Sequence, residues 1–170
     1  FGRTPLYAAI DIRNEDYSAL PSRQGIDPMP SIDIVKALLD KGANPDMALS
    51  KPLPGRSGMD SGDTSLGVGT TPMMRAARAG DTAVMRALLA KGADPKKTTQ
   101  TGNNILLYAA GVGYRDKNTH GTEAEALEAV KLALELGLDI NQKNGRGETP
   151  LHGAAGRGAD TIAAYLASKG

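Results

Sequence analysis

The sequence predicts an all-α fold, a solenoid of four stacked helix-turn-helix repeats, and three observations carry that prediction. Thr71 and Asn104 stand 33 residues apart, and helix-start signatures recur on that period once inserted segments are set aside. Each unit then closes on an apolar helix and a glycine, at Gly42, Gly92, Gly137 and Gly170. Finally, the 170 residues hold five Tyr, one Phe and no Trp, which suits an Ala/Leu/Gly-rich stack better than one large aromatic core.

The first repeat, residues 1–46, opens at Thr4-Pro5-Leu6-Tyr7-Ala8-Ala9 and closes at Leu38-Leu39-Asp40-Lys41-Gly42. The second, 69–95, runs from Thr71-Pro72-Met73-Met74 to Leu88-Leu89-Ala90-Lys91-Gly92. The third, 96–140, replaces Thr-Pro with Asn104-Ile105 and ends at Leu134-Glu135-Leu136-Gly137. The fourth, 141–170, opens at Thr149-Pro150-Leu151-His152 and ends at Lys169-Gly170. Thr4, Thr71, Asn104 and Thr149 are the expected N-caps, since their side-chain oxygens accept a free N–H of the first turn. Pro at the first helical position costs nothing, because its missing N–H had no intrahelical partner. The glycine after each second helix suits a left-handed C-terminal cap, and Asn44-Pro45-Asp46 and Asp94-Pro95 form the turns that follow.

Three intervals exceed this spacing, by 17, 17 and 12 residues. The first insertion, about 14–30, separates the helices of repeat one and contains Tyr17, Pro21, Pro28 and Pro30, so it is not helical throughout. The second, about 47–68, lengthens the turn after repeat one and reads as an extended hairpin or loop. The third, about 113–124, separates the helices of repeat three, and its Thr122-Glu123-Ala124-Glu125 forms a capping box that starts the second helix about a turn early. Two readings of the insertions stand: they wall a binding groove, or they are tolerated surface decoration.

Twenty basic against nineteen acidic residues give a net charge of +1, without the surplus that grips nucleic acid or an anionic membrane. No apolar run is long enough to span a membrane, and no signal peptide is visible. The absence of Cys excludes disulfides, thiol chemistry and Cys-ligated zinc. Neither end carries an obvious polar capping repeat, so the chain reads as an excerpt of a longer array, a monomer with possible end-to-end contacts.

These openings and closings resemble the ankyrin repeat over nearly the whole chain outside the insertions, most closely from Gly147-Glu148-Thr149-Pro150-Leu151-His152 to Gly170. With its insertions, the chain resembles the long multi-ankyrin proteins of environmental bacteria, many of which carry export signals, which implies an extracytoplasmic setting. The resemblance implies antiparallel helix pairs stacked about 10 Å apart, with the first helices on a concave face and β-turn fingers projecting from one edge. It also implies protein–protein binding without catalysis.

The residues give no catalytic set. At the fourth position of its opening motif, His152 is expected to bond the Thr149 hydroxyl and neighbouring backbone and tie adjacent repeats, and His120, 32 residues away, makes no zinc spacing with it. Asp60-Ser61-Gly62-Asp63 lacks the ligand spacing of a calcium loop, and Gly67-Val68-Gly69 lacks the lysine of a phosphate loop. No metal or cofactor is expected, and nucleophile, base and orienter cannot be assembled.

Register places Ala8, Asp11, Ile12, Arg75, Arg78, Tyr108, Val112, Gly153 and Arg157 on the concave face. It places Lys97, Gln100, Thr101, Asn103, Lys143, Arg146 and Glu148 on the fingers. The expected function is recognition of an acidic or mixed protein segment by this basic, Tyr108-anchored surface and the inserted loops. The alternative is an accessory or spacer segment of a larger exported protein.

Overall fold

A computed structural model describes residues 2–14, 31–51, 66–114 and 121–170. The expectations for Tyr17, Pro21, Pro28, Pro30, Asp60, Asp63 and His120 lie outside the described residues. Among those described there are eight helices and no strand. They pair as α1 (Pro5–Asn14) with α2 (Ser31–Asp40), α3 (Pro72–Arg78) with α4 (Thr82–Ala90), α5 (Ile105–Ala110) with α6 (Glu123–Glu135), and α7 (Pro150–Arg157) with α8 (Asp160–Lys169). First helices pack in the row α1, α3, α5, α7 and second helices in the row α2, α4, α6, α8, which is the all-α solenoid.

The caps form as the sequence requires. Thr71, Asn104 and Thr149 each accept a hydrogen bond from the backbone N–H three residues on, and Thr4 does the same for Tyr7. Thr122 and Glu125 close a reciprocal capping box, and the helix it opens, α6, runs 13 residues against nine in α4. At the other end, Gly42, Gly92 and Gly137 take φ of 85°, 83° and 82°, where a side chain would be strained. Each is followed by the hydrogen-bond pair that closes a left-handed cap, as in Gly92 to Leu89 (2.9 Å) and Ala93 to Leu88 (3.1 Å).

Comparison of the ends with the middle shows which side chain faces which neighbour. Leu6, Met73 and Leu106 occupy one station and are buried, whereas its fourth member, Leu151, is exposed, so this station faces the following repeat. Val35, Met85 and Val130 behave likewise on the second helices, with half-buried Ala163 as the fourth member. Conversely, Pro72, Ile105 and Pro150 are buried while Pro5 is exposed, so that station faces the preceding repeat. Ala76, Ala109 and Ala154, on the same side, are fully buried and leave room for the next helix to approach.

Candidate recognition surface

Between one helix pair and the next the chain forms a finger, and the three fingers are tied to one another through their backbones. In the first, the Leu49 N–H donates to the Thr70 carbonyl (2.9 Å) and the Gly69 N–H to the Leu49 carbonyl (2.8 Å), which closes a stem across the second insertion. In the second, the Thr99 N–H donates to the Asn103 carbonyl (2.8 Å), and in the third the Asn144 N–H donates to the Glu148 carbonyl (3.0 Å). Gln100 reaches back to Val68 (3.1 Å) and Gly145 to Thr101 (2.8 Å), so each finger is hydrogen-bonded to its predecessor.

Asn144 is the pivot of the third finger. Its side-chain oxygen accepts the N–H groups of Arg146 (2.9 Å) and Glu148 (3.0 Å). Its amide donates to the Asn103 side-chain oxygen (2.8 Å) and the Glu148 carboxylate (2.7 Å). Asn104 bridges the same gap by donating to Gln142 at 2.6 Å. Lys97, Gln100, Thr101, Lys143 and Arg146 are exposed on this platform, but Asn103 and Glu148 hold it together and present much less of themselves to a partner.

The first-helix positions correct the expectation from register. Arg75, Arg78 and Tyr108 are each 1% exposed and Val112 is 4%, so they offer no open face to a partner. Their chemistry is spent between repeats. The Arg75 Nε–H donates to the buried Asp11 carboxylate at 2.7 Å, and Arg3 holds the other carboxylate oxygen, also at 2.7 Å. Arg78 donates to the carbonyls of Val112 (2.9 Å) and Gly113 (2.6 Å) at the end of α5, with its guanidinium 5.9 Å from the Tyr108 ring centre. Arg157, half-buried, stacks 4.3 Å over Tyr114 of the preceding repeat. Helical periodicity alone cannot tell a groove-lining arginine from one that bonds a neighbouring repeat. Gly153 is also buried, Ala8 is half-buried, and only Ile12 of that set is freely exposed.

At the edge opposite the fingers lies a cleft of about 340 Å³, lined by Arg13, Asn14, Gly80, Asp81, Thr82 and Glu125 among others. Asp81 is its centre and is already engaged. It caps α4 through the Val84 N–H (3.2 Å) and accepts from Arg13 (2.7 Å) and Asn14 (3.2 Å) of repeat one. Glu125 belongs to the capping box, and the N–H of Thr122 holds its pKa below the ordinary value. Asp81 thus ties repeats one and two together, and among the described residues the cleft shows no arrangement of nucleophile and base.

Another contact between repeats went unread in the sequence. α8 has no side-chain cap of its own; Glu123 of α6 supplies one, accepting from the N–H groups of Thr161 (2.7 Å) and Ile162 (3.4 Å). The Thr161 N–H, first among the causes, lowers the Glu123 pKa. Glu123 has a second local reading as the first-turn acid of its own helix, so nothing in the sequence pointed to α8. His152 bonds Thr149 at both its hydroxyl (2.8 Å) and its N–H (3.3 Å) as expected, but it is exposed and these contacts stay within its own repeat. Among the described residues no three side chains are grouped to hold a metal ion, and no helix is long and apolar enough to cross a membrane.

Three family models match the chain. One described as ankyrin repeats (3 copies) covers residues 30–117, one described as ankyrin repeats (many copies) covers 123–167, and one for a single ankyrin repeat covers 1–48. No curated protein matches it.

Proposed function

The chain belongs to the ankyrin-repeat family, whose repeats are generally non-catalytic protein–protein interaction modules, and from that premise we propose that it recognises an acidic protein segment along its finger edge. The observation that carries this reading is the exposed basic charge on a hydrogen-bonded platform. Among the described residues Lys143 and Arg146 have no ion pair, and Lys97 has a long one to Asp46 at 3.9 Å. Gln100 and Thr101 stand beside them as exposed hydrogen-bonding groups. The backbone bonds from finger to finger fix the spacing of these groups before a partner arrives, which limits the entropy lost on binding.

Buried Arg75, Arg78, Tyr108 and Val112 are left out of the proposed contact surface, and Arg157 contributes only its partly exposed edge. Selection from a displayed peptide library is the test. Enriched peptides should be acidic, and K97E/K143E/R146E should weaken them by at least about tenfold, chiefly through a slower on-rate, with the loss shrinking at high salt. K36E, on exposed α2, is the control. Equal binding by the triple variant would refute the finger edge. Enrichment of no peptide would favour the spacer reading, in which the chain is an accessory segment of a larger protein.

A further inference from the structure

Asn144 and Gly145 form the one Asn-Gly pair of the sequence, and they open the third finger as a tight turn. The Gly147 N–H closes that turn on the Asn144 carbonyl (3.0 Å), with Gly147 at φ 79°. Asn144 is 8% exposed, and its side chain is saturated: the oxygen accepts two N–H groups and the amide donates twice. An aspartate would serve the turn equally well, since its oxygen also accepts from the residue two positions on. Only an amide nitrogen donates to Asn103 and Glu148. At the same station of the second finger stands Thr99, whose hydroxyl accepts the Asn103 N–H (3.0 Å) and which has no amide to lose. Glycine at 145 follows from finger stacking, because a Cβ there would meet the Thr101 carbonyl oxygen at 3.2 Å.

We propose that Asn144 is a site of spontaneous deamidation that the stacked fingers hold closed, and that the reaction, once it occurs, uncouples finger three from finger two. Glycine has no side chain to shield its own amide nitrogen, so an Asn-Gly pair is open to internal attack. The deprotonated Gly145 nitrogen adds to the Asn144 Cγ, ammonia leaves, and a five-membered succinimide forms. Water then opens either ring carbonyl, which gives aspartate or isoaspartate. In the folded chain the Gly145 N–H donates to the Thr101 carbonyl (2.8 Å), which holds its proton away from water and base. The four bonds of the Asn144 side chain also keep Cγ from turning onto that nitrogen. Reaction therefore waits for the finger to open, and the product records how often it does. A carboxylate in place of the amide has no donor for Asn103 and faces the Glu148 carboxylate as a like charge. Isoaspartate further lengthens the main chain of the turn by one carbon, which displaces the N–H groups of Gly145 and Gly147 from their acceptors.

Peptide mapping by mass spectrometry during incubation at neutral pH reads the conversion of amide to acid directly. A synthetic peptide of residues 139–150 should convert at Asn144 readily. The folded chain should convert more slowly, by the factor that hydrogen exchange gives for protection of the Gly145 amide, since both processes require release of the same N–H. Conversion of the folded chain as fast as the peptide would overturn the proposal. N103A removes the acceptor of the Asn144 amide and should raise the folded-chain rate by about 2- to 10-fold, the worth of one hydrogen bond. An unchanged rate in N103A would show that the neighbouring finger does not guard the site. N144D supplies one product outright, and its Gly145 amide should lose protection while those of α3 and α5 keep theirs. Should N144D not fold, unmodified chain aged to partial conversion and separated by ion exchange gives the same comparison. Full protection of Gly145 in the acid form would overturn the uncoupling. No ligand enters these measurements, so their outcome is independent of peptide binding at the fingers.

Discussion

Arg75 shows how a single buried charge organises two repeats. Its guanidinium is paired with Asp11 at 2.7 Å, and its Nη1 has no hydrogen-bond partner, so the ion pair is only partly satisfied. Removing Asp11 alone leaves a cation in the interior, and D11A should cost about 3–5 kcal/mol. Replacing both, as in D11L/R75M, should cost far less, because two desolvated charges disappear together. Urea denaturation of D11L, R75M and the double variant checks this, and a double-variant loss equal to the sum of the two single losses would show that the pair is not coupled. The burial of Arg75 also marks the limit of reading by register. Its place on the helix was legible, but its depth depends on what an adjacent unit brings against it, which helical periodicity does not record.

At the level of the element, local signals are legible in the sequence and distant ones are not. Thr71, Asn104 and Thr122 are legible as caps because cap and helix lie within four residues of each other. The dependence of α8 on Glu123 joins residues 38 apart and leaves no local mark. This contact also confers a pH dependence. The N–H groups of Thr161 and Ile162 stabilise the ionised carboxylate, so the Glu123 pKa is lower in the folded state than in the unfolded chain. Its contribution is fully present above the ordinary glutamate pKa and is lost as pH falls through the lowered folded value. E123A should reduce hydrogen-exchange protection at the Thr161 and Ile162 amides at neutral pH. Acidification below the ordinary carboxylate range should bring the unmodified chain toward the variant. Unchanged protection in E123A would mean that α8 holds its first turn without this neighbour.

For the whole molecule, the stacking makes stability a sum over nearest neighbours rather than the property of one core. Among the described residues repeat four packs on repeat three, through α5 with α7 and α6 with α8. Repeat one packs on repeat two, and there Asp11–Arg75 and Arg13–Asp81 add ion pairs of 2.7 Å. Amides of α7 and α8 should therefore exchange before those of α1, α3 and α5, in a step separate from global unfolding. A single exchange rate across all four repeats would show that the stack opens as one unit. Order and number of the repeats were legible in the sequence because each carries its own punctuation. The proposed contact surface was less so, since Arg75 and Arg78 are buried between repeats and the finger platform depends on Asn103 meeting Asn144 across 41 positions of chain.

The stem closed by Leu49, Gly69 and Thr70 has a consequence for evolution and for engineering alike. Its hydrogen bonds return the chain to register whatever lies between, and the entropic cost of a longer intervening loop rises only with the logarithm of its length. Lengthening the chain between Lys51 and Leu66 with Gly/Ser residues should therefore leave the helix content unchanged and lower the melting temperature only slightly, which circular dichroism would check. A large stability loss on such lengthening would show that the intervening residues, and not the stem alone, hold the first finger.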